Sequence, residues 1–341
     1  MDTDFPFERG LLLILLLSER AALDLRAKLR FALPGMEAAL EAEGLVKRYG
    51  ARLAVDEISF QVPRGSIYGV LGPNGAGKST TLRMLVGVLR PQAGRISLLG
   101  EPLSREGLRR VGYLPEERGL YRAMSARAAI GYLARLKGMP ARRAFKRADG
   151  LLEAHGLGSV RHKKIKTLSK GMAQKVQVLA ALAHEPEVII FDEPFSGLDP
   201  VNQRGLEETI RAEAAAGRTI LFSTHVMEHA ERLCDRILLI AQGRKAFEGS
   251  VREALALAPS GAVLETEGGF DLAAALGARG FASEPAGEEH GNRRWRVKLE
   301  NGKGSRELLQ VCVEIGAPLA LFEPTRASLH EAFVALVGEG P

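Results

Sequence analysis

One short segment constrains this chain more than any other: an apolar run at residues 67–71 leads directly into GPNGAGKS at residues 72–79. The segment fits the pattern G-x-x-x-x-G-K-[ST], and a helical stretch at residues 80–89 follows it. Glycines let successive backbone N–H groups curl around an anion without Cβ clashes, and the start of the helix adds its positive end. The sequence therefore predicts a phosphate-binding loop between a strand and a helix.

The residues of this loop have distinct expected tasks. Lys78 is expected to reach the β- and γ-phosphates of a nucleoside triphosphate, and the Ser79 hydroxyl is expected to bind Mg²⁺. A merely tight turn is the alternative, which the strand–loop–helix context disfavours. The predicted nucleotide-binding residues of this segment are Gly72, Pro73, Asn74, Gly75, Ala76, Gly77, Lys78, Ser79 and Thr80.

A second buried-type strand, residues 188–191, ends in the two carboxylates of Asp192 and Glu193. Strands that alternate with helical stretches indicate an α/β fold, in which ligands gather at the carboxyl ends of parallel strands. Both acids are therefore expected beside the phosphate loop. We expect Asp192 to hold Mg²⁺, and Glu193 to act as the general base or to orient the water that attacks the γ-phosphate.

Three more motifs follow in order: LSKGM at residues 168–172, SGLD at residues 196–199 and STH at residues 223–225. Together with the loop and the acidic strand end, they resemble the ATP-binding subunit of ABC transporters over about residues 45–249. The resemblance implies a P-loop NTPase fold of the ABC ATPase type, with a mixed core sheet and a helical subdomain at about residues 116–185. It also implies ATP and Mg²⁺ as cofactors.

This resemblance further implies that two ATPase domains enclose two ATP molecules head to tail. The second domain would come from another copy of the chain or from a paralogous subunit. Ser169 and Gly171 of one domain would then contact the γ-phosphate held by the loop of the other. His225 resembles the switch histidine that contacts the γ-phosphate, which places it with Glu193 as catalytic, and Asp199 resembles the residue that couples the two sites.

Tyr49 matches the aromatic residue that stacks on adenine in this family, although a tyrosine at a strand edge is the alternative. Two segments depart from the usual family pattern. Lys170 and Met172 replace a glycine and a glutamine in the second motif, and Glu116 stands where a glutamine is expected. A carboxylate suits Mg²⁺, so Glu116 is predicted to contact both nucleotide and metal. The predicted metal ligands are Ser79, Asp192 and Glu116.

Both departures, with the segments at residues 112–121 and 196–202, resemble the branch that contains bacterial sodium-exporter ATPase subunits. This implies a subunit that powers an ABC-2 type exporter, with sodium, a drug or a lipid-like molecule as cargo. The longest aliphatic run, residues 11–17, is shorter than the roughly 20 residues that span a bilayer. A separate integral-membrane permease is therefore expected to form the path that the cargo takes across the membrane. The chain would lie peripherally at the cytoplasmic face of the inner membrane.

Charge is unevenly distributed along the chain. The formal net charge is +6, but residues 122–175 hold 14 Lys and Arg against two acids, a local charge of +12, which leaves −6 for the rest. We interpret this segment as a surface that faces the permease and the anionic inner leaflet; a solvated helical face is the alternative. In proteins that bind single-stranded nucleic acid, aromatic residues alternate with the cations. This segment does not show that pattern, so nucleic acid is not an expected partner.

The chain is predicted to have three parts. Residues 1–35 are interpreted as a disordered leader or a mispredicted start, because acidic residues precede their apolar run where a signal peptide is positive; a targeting segment is the alternative. Residues 36–255 form the predicted ATPase domain. A linker is predicted around residues 258–262, and residues 262–341 form a small α+β accessory domain that ends in a capped helix.

Two other functions stay open on the residues alone. One is a soluble ABC-type ATPase that acts on DNA or ribosomes. Such proteins usually have tandem ATPase domains or long coiled-coil insertions, which this sequence does not show. The other is an ATP-binding switch that does not hydrolyse its nucleotide, and Glu193 and His225 argue against it.

Overall fold

The predicted leader at residues 1–35 lies outside the part of the chain that the computed structural model describes. The described residues are 37–117, 119–258, 260–268, 270–289, 291–299, 304–325 and 327–338. The strands are β1 (Ala38–Tyr49), β2 (Arg52–Pro63), β3 (Ile67–Leu71), β4 (Ala93–Leu98), β5 (Glu101–Pro102), β6 (Val111–Leu114), β7 (Val188–Phe191), β8 (Thr219–Thr224), β9 (Arg236–Ala241), β10 (Arg244–Ser250), β11 (Ser260–Thr266), β12 (Ala282–Glu289), β13 (Asn292–Leu299) and β14 (Leu319–Thr325). The α-helices are α1 (Lys78–Leu85), α2 (Ala126–Leu136), α3 (Ala141–Ala154), α4 (Lys170–Leu182), α5 (Pro200–Ala215), α6 (Met227–Leu233), α7 (Val251–Leu255), α8 (Leu272–Gly277), α9 (Ser305–Glu314) and α10 (Leu329–Val337).

The central sheet has six strands in the order β10-β9-β3-β8-β7-β6. Strand β10 pairs antiparallel with β9, and the other neighbours pair in parallel, so the sheet is mixed as predicted. All residues of β3 and β7 are buried, because a strand covered on both faces needs a continuous apolar run. Their parallel pairing through β8 brings the loop after β3 and the acids after β7 to one edge of the sheet.

A second sheet, antiparallel and in the order β2-β1-β4-β5, lies at the start of the described chain. The apolar cluster that contains its inner residues also contains residues of β3, β7 and β8, so this sheet packs on the central one. Helices α2, α3 and α4 surround a separate apolar cluster that includes Ile130, Leu152 and Val176. These three helices contact each other, and α4 also contacts β6, the last strand in the order of the central sheet.

The third sheet, β12-β13-β11-β14, belongs to the C-terminal part of the chain. With α8 after β11 and α9 after β13, the order of elements is βαββαβ, the ferredoxin-like arrangement. Trp295, Val297 and Leu299 point into its core, as their alternation predicts. The linker prediction at residues 258–262 is wrong in its second half, because β11 begins at Ser260 and buries Ala262. Among the described residues, the helices are all too short or too polar to span a bilayer.

Candidate nucleotide site

The phosphate loop has a backbone that only glycine tolerates at its two ends. Gly72 and Gly77 have φ values of 151° and 109°. A Cβ at Gly72 would overlap the backbone oxygen of Ile240, and a Cβ at Gly77 would overlap the backbone oxygen of Ala54. The loop is therefore a close-fitting cradle directly before helix α1, which is the form that a polyphosphate site requires.

Lys78, the first residue of α1, crosses the opening of this cradle. Its Nζ donates hydrogen bonds to the backbone oxygens of Gly72 (2.8 Å) and Pro73 (3.2 Å). The same Nζ lies 3.2 Å from Oε1 of Glu193, and both side chains are buried. The loop and the acidic strand end, predicted as one site, therefore touch in the structure.

Asp192 is buried at the end of β7 and offers a free oxygen. Its Oδ1 accepts hydrogen bonds from the hydroxyls of Ser79 (2.9 Å) and Ser223 (2.8 Å). Its Oδ2 is buried and has no hydrogen-bond partner within the described chain. Burial raises the pKa of the Asp192 carboxyl, and the two hydroxyl hydrogen bonds oppose that rise. An orphaned carboxylate oxygen beside a serine hydroxyl fits Mg²⁺, which binds oxygen ligands.

Glu193 has a strained backbone and two charged or titratable neighbours. Its φ of 48° lies in the left-handed region, which costs a residue with a Cβ on the order of 1–3 kcal/mol. Its N–H donates to Ser223 Oγ at 2.8 Å, and its Oε2 lies 2.9 Å from Nδ1 of His225. The carboxylate is therefore held between the Lys78 ammonium and the His225 imidazole.

Ser223 organises both acids, because its hydroxyl donates to Asp192 and accepts from the Glu193 N–H. The sequence pattern identifies this serine only as part of a motif and indicates no task for it. The available signal was its position near the end of β8, the parallel neighbour of β7. A hydroxyl at that register can reach the first residues after β7.

A cleft of about 490 Å³ lies over the loop, and it is lined by residues of the loop with Tyr49, Arg52, Ala54, Glu116 and Glu193. Tyr49, at the end of β1, is 47% exposed, so its ring is available to a ligand. Arg52 donates from Nη2 to the backbone oxygen of Gly75 at 2.9 Å. Arg52 is not predictable as a site residue from its sequence context, because it reaches the cleft only through its pairing with Tyr49 across the β1–β2 turn.

The exposed carboxylate of Glu116 enters this cleft from the segment after β6. A neighbouring cavity of about 190 Å³ is lined by Glu116 together with Asp192, Glu193 and Lys170. Glu116 therefore lies between the phosphate loop and the start of α4.

Ser169, Gly171 and Asp199 do not line the cleft in this copy of the chain. Ser169 caps α4 and accepts the Met172 N–H at 3.2 Å. Asp199 caps α5, and hydrogen bonds from Asn202 lower the pKa of its carboxyl. A Cβ at Gly171 would lie 2.6 Å from Nδ2 of Asn202, so the starts of α4 and α5 lie together.

Comparison with known proteins agrees with this geometry. The ABC transporter family profile matches residues 55–196. The uncharacterized ABC transporter ATP-binding protein YhaQ of Bacillus subtilis (strain 168) is 44% identical over 214 residues, which are 63% of this chain and 72% of that protein. The Nod factor export ATP-binding protein I of Ralstonia nicotianae is 42% identical over 217 residues, 63% of this chain and 68% of that one. A solved ATP-binding subunit of an ABC transporter superposes with a TM-score of 0.59 at 34% identity, and the match covers 63% of this chain and 91% of that one.

Proposed function

This chain belongs to the family of ABC transporter ATP-binding subunits, which hydrolyse ATP, and from that premise we propose that it powers export through a separate membrane permease. The relatives named for Nod factor export support the outward direction. The sequence resemblance to the sodium-exporter branch supports an ABC-2 type permease. Sodium, a drug or a lipid-like molecule is the proposed range of cargo.

The position of Glu193 carries the proposed chemistry. Its buried carboxylate lies between Lys78 Nζ and His225 Nδ1, at the opening of the phosphate cradle. Glu193 would accept a proton from the water that attacks the γ-phosphate. His225 would hold that carboxylate and contact the γ-phosphate, and Lys78 would neutralise charge on the β- and γ-phosphates.

The remaining site residues would bind and orient the nucleotide. Ser79 and Asp192 would hold Mg²⁺, and Glu116 is a further candidate ligand. When bound, Mg²⁺ would neutralise the negative charge that builds up on the phosphate oxygens. The backbone of the glycine cradle would surround the phosphates, and Tyr49 would stack on adenine.

A second ATPase domain would complete each site. The N-terminus of α4, with Ser169 and Gly171, would approach the γ-phosphate bound by the partner, because the start of a helix favours an anion. Asp199 would link the two sites across the interface. The partner would be another copy of this chain or a paralogous subunit, and the pair would sit at the cytoplasmic face of the inner membrane on the permease.

The basic helical surface supports this placement. Within residues 122–175, Asp149 pairs with Arg127 (2.8 Å) and Glu153 pairs with Arg161 (2.7 Å), so both acids of the segment are already used. Arg143 and Arg147 pair with Glu185 outside the segment, and the segment keeps an excess of positive charge. We assign this surface to the side that faces the permease and the anionic leaflet.

Substitution of Glu193 by Gln tests the proposed chemistry. An amide cannot accept the proton, so kcat for ATP should fall by about 10²- to 10⁴-fold while ATP binding is retained. Glu187→Gln, next to the other end of β7 and paired with Arg110 on the surface, is the matched control. Unchanged turnover in Glu193→Gln would show that the base is assigned wrongly.

The export direction has a separate test. The chain and its permease, purified together and placed in vesicles with ATP on the outside, should move cargo into the vesicle lumen. Movement of cargo toward the ATP side would contradict export and leave the assignment of the ATPase residues intact.

A further inference from the structure

The last helix of the described chain packs away from the sheet that precedes it. Helix α10 follows β14 of the accessory sheet, yet its main contacts are with α6, α7 and β10. Leu329 is fully buried, and Phe333 packs beside it, in an apolar cluster with Ala230 of α6 and Ala254 of α7. By these contacts, α10 belongs to the packing of the ATPase core.

A hydrogen bond also joins α10 to the ATPase core. The N–H of Leu329, in the first turn of α10, donates to Oε1 of Glu231 on α6 at 2.6 Å. First-turn N–H groups have no partner within their own helix, so an external carboxylate satisfies this one. A bond with an ionised acceptor at the positive end of a helix is stronger than a neutral one. Glu231 therefore fixes α6 and α10 to each other.

Helix α6 leads directly to the nucleotide site. It begins at Met227, two residues after His225, whose Nδ1 lies 2.9 Å from the Glu193 carboxylate. Met227 packs against the same cluster as Phe333. The cluster also contains Leu71, the residue before Gly72 and therefore before the phosphate cradle. The apolar surface that α10 covers thus adjoins two segments that carry site residues.

We propose that α10 positions the switch histidine for ATP hydrolysis. Through Phe333, Leu329 and Glu231 it fixes α6, and α6 in turn holds His225 against Glu193. The proposal rests on the role proposed above for His225.

Two pairs of substitutions in the full chain test this proposal. Glu231→Ala removes the acceptor for the Leu329 N–H, whereas Glu231→Gln keeps an oxygen there. Phe333→Ala removes a partly buried ring that packs against the apolar cluster, whereas Leu336→Ala removes an exposed side chain of the same helix. Each variant is assayed for kcat and KM with ATP. Amide hydrogen exchange is measured in peptides that cover residues 225–233 and, as a reference, residues 141–154 of α3.

We expect Glu231→Ala and Phe333→Ala to lower kcat by about tenfold or more, because a 1 Å displacement at a catalytic group costs up to about 100-fold. KM should stay within about twofold, since uniform binding of ATP is untouched. Exchange should accelerate in residues 225–233 and not in α3. The Leu336→Ala variant should match the unmodified protein in each of these measurements, and Glu231→Gln, which keeps a neutral acceptor, should lose less than Glu231→Ala.

Unchanged kcat in both disruptive variants would overturn the proposal. Equal acceleration of exchange in residues 225–233 and in α3 would also overturn it, because it would mean a general loss of stability. A His225→Ala variant separates the two claims. Full activity in that variant would refute the proposed role of His225, while the exchange data would still decide whether α10 holds α6 in place.

Discussion

Asp192 and Glu193 are adjacent in the chain, but their side chains have different hydrogen-bonding and charged partners. Two serine hydroxyls donate to Asp192, whose second oxygen stays free, whereas Glu193 meets the Lys78 ammonium and an imidazole. Burial raises the pKa of the Asp192 carboxyl, and a bound cation would favour its ionised form. The strained φ of Glu193 aims its side chain differently from that of its neighbour. This difference is the physical basis for assigning metal binding to one acid and base catalysis to the other.

Glu116 is expected to be a replaceable member of the site. It is exposed at the rim of the cleft, whereas Ser79 and Asp192 are already hydrogen-bonded to each other beside the cradle. Glu116→Gln should therefore retain steady-state ATPase activity within about tenfold, a barrier change of about 1.4 kcal/mol. Asp192→Asn, assayed over the same range of Mg²⁺ concentrations, should lose far more. A larger loss in Glu116→Gln would mean that its carboxylate has a dedicated task.

His184 gives the chain a predictable sensitivity to acid. Its Nε2 donates to the backbone oxygen of Val111 at 3.1 Å, and its buried Nδ1 has no hydrogen-bond partner in the described residues. Burial, reinforced by the Lys137 cation, lowers the pKa of His184 from 6.5 to about 4. Because the pKa of His184 is lower in the folded chain than in the unfolded chain, protonation of this histidine favours unfolding. The contribution of the neutral imidazole to the free energy of unfolding is complete above pH 6.5 and is lost as the pH falls toward 4.

Urea unfolding at pH 7.5 and at pH 4.5 tests this expectation. The unmodified chain should lose up to about 3 kcal/mol of unfolding free energy from this histidine over the window, at 1.36 kcal/mol for each pKa unit. His184→Gln should lose less, because its side chain does not titrate. His162→Gln, at an exposed position, is the control. If all three proteins lose the same unfolding free energy between the two pH values, the loss does not come from protonation of His184.

At the scale of elements, strands that are buried on both faces were predictable and helix ends were not. Strands β3 and β7 have the predicted bounds, because an uninterrupted apolar run stops at a glycine or an acid. Helix α1 was predicted at residues 80–89 but ends at Leu85. Gly87 adopts a φ of 69°, a left-handed conformation typical of helix termination, and the apolar residues beyond it do not continue the helix.

The sequence pattern does not predict which distant segments of the chain pair with each other. Bulges between Ala42 and Leu45 break the alternation of β1, so its pattern does not identify a strand in an antiparallel sheet. The same pairing places Arg52 in the cleft. The order of the accessory sheet, in which β11 lies between β13 and β14, likewise depends on contacts between distant parts of the chain. The phosphate loop and the acidic strand end were predictable because local motifs define them.

The accessory sheet contains a residue whose fluorescence can report on the unfolding of that sheet. Trp295 is the single tryptophan of the chain, and its Nε1–H donates to the hydroxyl of buried Thr266 at 3.0 Å. Thr266→Val leaves this donor without a partner, so the sheet should lose about 1–3 kcal/mol of stability. Tryptophan fluorescence should report a lower unfolding midpoint, while kcat for ATP is unchanged. An unaltered midpoint would mean that the hydrogen bond contributes nothing to the sheet.

At the scale of the whole molecule, one copy of the chain keeps the two predicted parts of the nucleotide site apart. The glycine cradle, the two acids and His225 meet at one edge of the central sheet. Ser169 and Gly171 lie at the start of α4, next to the start of α5 and outside the cleft. Our account requires two domains that close head to tail, so that each α4 reaches the nucleotide of its partner.

Mixing two inactive variants tests this requirement most directly. Lys78→Ala removes the lysine that is proposed to hold the phosphates, and Ser169→Glu places a negative charge where the partner's γ-phosphate would lie. Each variant alone should be inactive. In a head-to-tail pair that contains one of each, both defects fall in one site and the other site is intact. Random pairing into two-fold dimers should then restore about one quarter of the unmodified ATPase activity. If the chain pairs with itself, no recovery on mixing would contradict the account, and full activity of Ser169→Glu alone would contradict it for either partner.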